Sequence, residues 1–218
     1  MLNLLIMGKP GAGKGTQAAK LLDFYNLYHI STGNIYRKEI KNNSIIGKEA
    51  KKYLSQGDLV PDEMTNNIVR DILINTNYPN GFMLDGYPRT DAQAVALDDM
   101  LNEIGISLTA VINVEVRNSV LLKRMAGRRV CSHCGQTYHV DYHPPKIKGI
   151  CDICGNPLIQ RDDDLEQSVM NRLRIYMEKT KPLLEYYEKK GLLMVINGEQ
   201  TTEKVFNDIV SKLGEKKW

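Results

Sequence analysis

No apolar run in the 218-residue sequence approaches the ~18 residues that a membrane-spanning helix needs. The opening apolar stretch, Met1 to Met7, stops at Gly8-Lys9 and has no basic region before it. The expectation is therefore a chain without a secretory leader, working in the cytoplasm and away from membranes. Charge of either sign is nearly balanced. The 29 basic and 26 acidic side chains leave +3, too small an excess for wholesale coating of nucleic acid. No repeat or low-complexity segment is visible. With 42% hydrophobic and 25% charged residues, whole-chain disorder and collagen-like structure are excluded. Cysteine is scarce, and all four cysteines lie between residues 131 and 154.

What is present reads as strands alternating with helices. Leu2 to Met7 is a continuous apolar run suited to a strand buried on both faces, although periodicity alone does not separate it from a buried helical segment. Thr16 to Tyr25 follows as a helix, Tyr28 to Ile30 as a strand, and Ser31-Thr32-Gly33-Asn34 as a helix start. Residues 35 to 57 are lysine-rich, weakly apolar and broken by glycine, which predicts small helices. Pro61 opens a helix that ends before the turn Tyr78-Pro79-Asn80-Gly81. Phe82 to Asp85 reads as a strand, Thr90 to Gly105 as a helix and Leu108 to Val116 as a strand, with Asn118 as the cap of the next helix. Residues 128 to 163 show no helical period. Asp164 to Lys190 reads as one long helix kinked at Pro182, followed by a strand at Leu192 to Ile196 and a helix at Thr202 to Leu213. This alternation predicts an α/β fold, a parallel sheet with helices on both faces.

Two motifs carry chemistry. Gly8-x-x-x-x-Gly13-Lys14 lies between an apolar strand and a helix. Small residues there let backbone N–H groups curl around phosphate oxygens, the helix N-terminus adds partial positive charge, and Lys14 adds a full one. The strict phosphate-loop pattern has Ser or Thr directly after the lysine; here Gly15 intervenes and Thr16 follows. The second motif is Cys131-x2-Cys134 and Cys151-x2-Cys154, separated by 16 residues. That is the spacing of a four-thiolate zinc ribbon, with one structural Zn2+ expected per chain. Two disulfides or free thiols are the alternatives, and a chain without a leader argues against disulfides. His133, His139 and His143 are read as solvated or packing residues.

Gly8 to Thr16 (GKPGAGKGT) resembles the phosphate loop of adenylate kinases, in the nucleoside-monophosphate kinase family, and the likeness extends over nearly the whole chain. Ser31 to Arg37 (STGNIYR) is similar to that family's monophosphate-binding segment. Gly81 to Thr90 (GFMLDGYPRT) is similar to its central strand and turn. Gly127-Arg128-Arg129 and Arg161-Asp162-Asp163-Asp164 are similar to the margins of its long-form lid. Three residues depart from the pattern: Lys9, where a small or apolar residue is expected, and Asn34 and Tyr36, where acidic and aliphatic ones are.

The resemblance implies a core of residues 1–30, 61–127 and 164–218, a helical monophosphate-binding lobe at 31–60 and a zinc-binding lid at 128–163. It implies transfer between Mg2+-bound ATP and AMP to give two ADP, by a monomer. ATP would be held by Gly11, Ala12, Gly13, Lys14, Gly15, Thr16 and Arg128, with Thr137, Tyr138 and Gln200 at its base. AMP would be held by Thr32, Arg37, Asp58, Leu59, Val60, Gly86, Tyr87, Pro88, Arg89, Gln93, Arg161 and Arg172.

Six of the ten arginines match phosphate ligands of the family. Arg37 and Arg89 would grip the monophosphate, while Arg124, Arg128, Arg161 and Arg172 would close over the transferring group. Planar guanidinium groups suit this because each can hold two oxygens. Arg70, Arg117 and Arg174 are read as surface charges. Asp85, at a strand's C-terminal end, would orient Mg2+ through water, or simply cap the following turn. Asp163 would position lid arginines, or with Asp164 favour a helix dipole. Gln93 fits an adenine edge but also completes a capping box with Thr90.

Three other readings stay open. A kinase for CMP, UMP or GMP is the nearest. A zinc-ribbon nucleic-acid binder is disfavoured because basic and aromatic residues are not concentrated beside the cysteines. A non-catalytic ATP-binding module has no need for so many arginines.

Overall fold

The structure is a computed structural model and describes residues 1–215. Five parallel strands form the central sheet in the order β2-β3-β1-β4-β8. They are β1 (Leu4–Met7), β2 (Tyr28–Ser31), β3 (Phe82–Asp85), β4 (Ala110–Glu115) and β8 (Leu193–Asn197). β1 lies at the centre, with Leu4 opposite Met83 on one side and Ala110 on the other. All four of its residues are buried, which is why its apolar run is unbroken rather than alternating.

Helices cover both faces. On one face α1 (Lys14–Tyr25), α6 (Asn118–Gly127), α7 (Glu166–Ile175) and α9 (Thr202–Glu215) pack through Leu21, Leu121, Val169 and Ile209 against Leu4, Ile6 and Ile112. On the other, α4 (Asp62–Asn75), α5 (Asp91–Glu103) and α8 (Pro182–Lys189) pack through Leu73, Leu97 and Leu183 against Leu5, Leu84 and Val111. The architecture is the expected α/β layering.

Two smaller units flank the C-terminal ends of the strands. Between β2 and α4, α2 (Thr32–Lys41) and α3 (Ile45–Leu54) bury Tyr36, Ala50 and Val60 in their own cluster. The Tyr36 hydroxyl hydrogen-bonds Thr65 Oγ1 at 2.9 Å, so the tyrosine that departs from the family pattern has a polar partner here. Between α6 and α7, a three-stranded antiparallel sheet, ordered β6-β5-β7, is formed by β5 (Arg128–Cys131), β6 (Thr137–His139) and β7 (Leu158–Ile159). Its core is Cys131, Tyr138 and Cys151, too little apolar surface to hold three strands unaided.

Two helix expectations need correction. The predicted helix over 164–190 is interrupted. Asp162–Asp164 form a 3-10 turn, α7 begins at Glu166, and Tyr176–Thr180 widen into a π turn before α8. The Lys181 N–H reaches five residues back to the Tyr176 carbonyl, at 2.8 Å. Pro182 is the physical cause: it has no N–H to donate and its ring crowds the preceding turn, so the helix widens rather than ending. Asn118 does not cap α6. Arg117 stands at the N-cap without a side-chain bond, and the Asn118 side chain is engaged with Lys9.

Candidate active site

The loop between β1 and α1 begins the site. Gly8, Gly11 and Gly13 have φ of 141°, 80° and 93°, in the region that favours glycine. A Cβ on Gly8 would lie 2.5 Å from the Val114 carbonyl oxygen, and one on Gly11 2.7 Å from Met125 Cγ. The loop is thus pressed onto β4 and α6. A Cβ on Gly13 or Gly15 would meet nothing within 4 Å, so that side of the loop is open. α1 starts with no side-chain cap, leaving its first N–H groups to face that opening. Ala12 is buried and Thr16 is exposed.

The Lys14 ammonium donates to the Gly8 and Lys9 carbonyls at 2.7 and 2.9 Å. Burial pulls its pKa down to about 7, opposed by the Asp85 carboxylate and reinforced by Arg89, Arg172 and Arg128. That field is a good measure of the site. Arg37, Arg89 and Arg172 are all held below the ordinary guanidinium range, first by burial and then by one another or by Arg128. Arg161 is brought down to about 9 by burial and by Arg37 and Arg128. The Nε of Arg161 is buried and makes no hydrogen bond. Five guanidinium groups and one ammonium therefore crowd a single region.

Three carboxylates partly offset them. Burial alone would raise the Asp85 pKa, but His29, Lys14 and Arg89 outweigh it and leave it lowered. His29 Nε2 is 3.7 Å from Asp85 Oδ2, and the Ser31 hydroxyl donates to the same oxygen at 3.4 Å. An ionised carboxylate at the C-terminal end of β3 facing Lys14 is suited to a hydrated magnesium ion. Asp163 is likewise lowered: burial raises it, and Arg172, Arg128, Arg161 and Arg37 together prevail. Its Oδ2 is 2.8 Å from Arg172 Nη1. Asp164 was read from sequence as a residue for a helix dipole. Its side chain is instead fully buried and paired with Arg128 and Arg172.

Of the residues expected around AMP, Thr32, Gly86 and Arg89 are joined by hydrogen bonds. Thr32 is buried, and its hydroxyl donates to the Gly86 carbonyl at 3.1 Å. Arg37 Nη2 donates to Asn34 Oδ1 at 2.6 Å, giving the departure at Asn34 a partner. Arg89 Nε donates to the Gly86 carbonyl at 2.8 Å. A cleft is lined by Gly8, Lys14, Leu59, Pro88, Arg89 and Arg172. Asp58 accepts from Asn171 at 2.7 Å, and Val60 is buried. Tyr87 is buried, with its hydroxyl donating to Asn66 Oδ1 at 2.7 Å.

Gln93 is buried and held by hydrogen bonds within the protein. Its Oε1 accepts from the Arg89 N–H and its Nε2 donates to Asp62 Oδ1, both at 2.7 Å. Its backbone N–H bonds the Thr90 hydroxyl at 3.2 Å, so only the Thr90 half of the capping box forms. An amide has further capacity on each atom. Asp62 went unnoticed in the sequence; only its place in the first turn of α4 hinted at a role.

Two expectations change. Arg124 does not join the five arginines: its Nη2 donates to the Gly198 carbonyl at 2.9 Å, beside the loop that precedes α9. α6 aims it there because Gly198 is itself tied down, its N–H bonding the Glu115 carbonyl at 2.8 Å. Arg117 is an exposed surface charge, as expected, and pairs with Glu199 through its backbone N–H, Nε and Nη2. Gln200 Nε2 donates to Asp208 at 2.7 Å. The Tyr138 ring is turned into the small sheet's core, its hydroxyl accepting the Asp152 N–H at 2.8 Å. Any contact to a base there falls to the backbone or to Thr137, which is partly exposed. Arg70 and Arg174 pair with Glu103 and Glu178 at the surface, as expected.

The four cysteine sulfurs lie within 4.8 Å of one another. The Cys131–Cys154 and Cys134–Cys151 separations of 3.4 and 3.5 Å are far beyond a disulfide bond. They suit four thiolates around one ion, since metal–sulfur bonds of ~2.3 Å set tetrahedral edges of this size. The His133 N–H and Asn156 Nδ2 point at Cys131 and Cys154 sulfurs at 3.4 and 3.5 Å. The Asn156 groups favour the Cys154 thiolate over the thiol. His139 Nδ1 instead accepts from the Asp141 and Tyr142 N–H groups, and His143 stacks on Tyr138. His139 and His143 are packing residues, and His133 is exposed.

Comparison with known proteins agrees with this geometry. The family described as adenylate kinase matches residues 6–192. The adenylate kinase of Clostridioides difficile (strain 630) is 50% identical over 216 residues, spanning 99% of this chain and 100% of the relative. That of Listeria monocytogenes serotype 4b (strain CLIP80459) is 52% identical over 208 residues, 95% of this chain and 97% of the relative. That of Geobacillus sp. (strain WCH70) is 51% identical over 213 residues, 98% and 99% respectively. The chain belongs to the adenylate kinase family.

Proposed function

We propose that the protein catalyses the reversible reaction Mg·ATP + AMP ⇌ 2 ADP by direct in-line phosphoryl transfer. It is a nucleoside-monophosphate kinase, a phosphotransferase of the adenylate kinase family. The observation that carries the reading is the convergence of Lys14 with Arg37, Arg89, Arg128, Arg161 and Arg172 at one cleft. So much positive charge is costly without anions, and two nucleotides bring the phosphates that relieve it.

Gly11, Ala12, Gly13, Gly15 and Thr16 would cradle the ATP phosphates with Lys14. Arg37 and Arg89 would hold the AMP phosphate, with Thr32, Gln93 and the 58–60 and 86–88 segments around its base. Arg124, Gly198 and Gln200 would face the ATP base from the core, and Thr137 from the lid. Arg128, Arg161 and Arg172, aligned by Asp163 and Asp164, would meet the charge that spreads over the transferring group. Magnesium, bound with ATP and oriented through water by Asp85, would neutralise phosphate charge. No nucleophilic side chain is required, because positioning and charge stabilisation carry the rate.

Water is the competing acceptor. Residues 31–60 as a monophosphate lobe and 128–163 as a lid would close over the core (1–30, 61–127, 164–218) before transfer. Zinc on Cys131, Cys134, Cys151 and Cys154 would stiffen the lid so that it moves as one body. No helix among the described residues is long and apolar enough to cross a membrane, and the proposed setting is a cytoplasmic monomer. A coupled assay with ATP and each of AMP, CMP, UMP and GMP tests the reading. AMP as the best acceptor is expected; faster turnover of another monophosphate, or none of AMP, overturns it.

A further inference from the structure

We propose that Lys9 is a positioning residue for the ATP half of the reaction, fastening the phosphate loop to the start of α6 through Asn118. The Lys9 ammonium donates to Asn118 Oδ1 at 2.8 Å and lies 3.5 Å from the Val116 carbonyl oxygen. The same residue's carbonyl accepts from the Lys14 ammonium at 2.9 Å and from the Ala12 N–H at 3.1 Å. Residue 9 therefore connects at both ends. Its side chain holds the wall and its backbone holds the lysine that meets phosphate.

The loop has need of such a tie. Three glycines between β1 and α1 adopt positive φ, and glycine loses the most conformational freedom on ordering. Its internal backbone bonding includes only the Ala12–Lys9 turn. Close packing of Gly8 on Val114 and Gly11 on Met125 sets its depth. The Lys9–Asn118 bond adds a polar tie from the loop to the segment between β4 and α6. The anchor is itself well placed. Asn118 follows Arg117, which grips Glu199, and opens the helix that carries Arg124, which holds Gly198. One turn thus joins the phosphate loop to the loop before α9, where the ATP base is proposed to sit. A small or apolar residue at position 9 has no means of making this link. Asn118, whose side chain would otherwise suit a helix cap, is used for it instead.

This inference rests on the kinase reading, and wild-type turnover of ATP with AMP checks that reading separately. The test compares Lys9→Met, Asn118→Ala, Asn118→Asp and the Lys9→Met/Asn118→Ala double variant. Dissociation constants for Mg·ATP and for AMP are measured by calorimetry, with thermal midpoints alongside. Lys9→Met and Asn118→Ala are each expected to weaken Mg·ATP binding about tenfold, the equivalent of ~1.4 kcal/mol, and to leave AMP binding within about twofold. The double variant should be no weaker than either single one, as for two groups in one contact. Asn118→Asp keeps the acceptor and should bind ATP as the wild type does.

Multiplicative losses in the double variant overturn the proposal. So does weakening by Lys9→Met alone, which would reduce Lys9 to a distant charge. Equal loss of ATP and AMP binding with a lowered thermal midpoint would make the contact a general fold contact, and overturns it too.

Discussion

Arg128 meets Asp164 with two donors: Nε on Oδ2 at 2.8 Å, and Nη2 on Oδ1. The aspartate side chain has no solvent exposure, and the arginine keeps 18%. One end of the pair begins β5 and the other closes the 3-10 turn before α7, so the pair clasps the two chain segments that enter and leave the small sheet. Removing one partner of a buried pair leaves the other uncompensated.

Asp164→Asn is therefore expected to destabilise the nucleotide-free protein by roughly 3–5 kcal/mol. Saturating Mg·ATP should restore more stability to the variant than to the wild type, because phosphate oxygens offer Arg128 and Arg172 a substitute partner. Urea unfolding with and without nucleotide measures both effects.

Lys14→Met should lower kcat/KM by about 100-fold or more, in the range seen when one preorganised charge-stabilising donor is lost. The thermal midpoint should not fall, and near neutral pH it should rise, because the substitution removes an ammonium that burial disfavours in the folded state. Unchanged turnover would remove Lys14 from the proposed machinery.

The same lysine gives stability a pH slope. Folding lowers its pKa from 10.5 to about 7, so between those values the unfolded chain binds more protons than the folded one. Stability should then rise with pH across that window, by at most about 1.4 kcal/mol per pH unit from a single proton. Urea midpoints at pH 7 and pH 9 in the wild type and in Lys14→Met isolate this contribution. The wild type should gain more on going to pH 9.

Metal analysis should find one zinc per chain. Chelation should speed hydrogen exchange in residues 131–154 well before it affects β1 and β4. The physical reason is the sparse core of Cys131, Tyr138 and Cys151, for which the metal's apparent ~10–16 kcal/mol of binding is a large compensation. Exchange that changes uniformly along the chain would argue against a separately stapled unit.

Gln93→Leu should raise the KM for AMP several-fold and leave that for ATP unchanged. It should also cost about 1–3 kcal/mol of stability, because the Arg89 N–H and Asp62 Oδ1 lose their partner. Steady-state kinetics with each nucleotide varied in turn, together with urea unfolding, separate the two roles.

How much of this was legible in the sequence depends on whether the cause is local. β1 could be read because Leu4 to Met7 are buried on both faces, and the phosphate loop because its glycines sit between a strand and a helix. The cysteine cluster follows from turn spacing alone. The π turn before Pro182 was hidden, because a bond from Lys181 to Tyr176 compensates for the proline in a way no pattern announces. Arg124 looked equivalent to Arg128 on the page, but a carbonyl 74 residues away decides where it points. Asp164 read as a helix-start residue because its burial depends on arginines from two other segments. Lys9 and Asn118 each stood out singly, and only tertiary structure brings residues 109 apart into one contact.

Among the described residues, β8 is the last strand in chain order and the outermost on its side, paired with β4. A nascent chain halted before residue 193 can already align β2, β3, β1 and β4. It leaves the β4 edge open, and the surface over Ile112 and Val114 lacks the cover that Val205, Ile209 and Leu213 provide. Bare strand edges and apolar faces of this kind invite mispairing and chaperone capture. The wall that carries Gly198 and Glu199 is also still missing, so a stalled chain holds the phosphate loop with no companion surface for a base. Any stabilisation that the proposed ATP-base contacts lend to folding would therefore wait until residues 198–200 are in place.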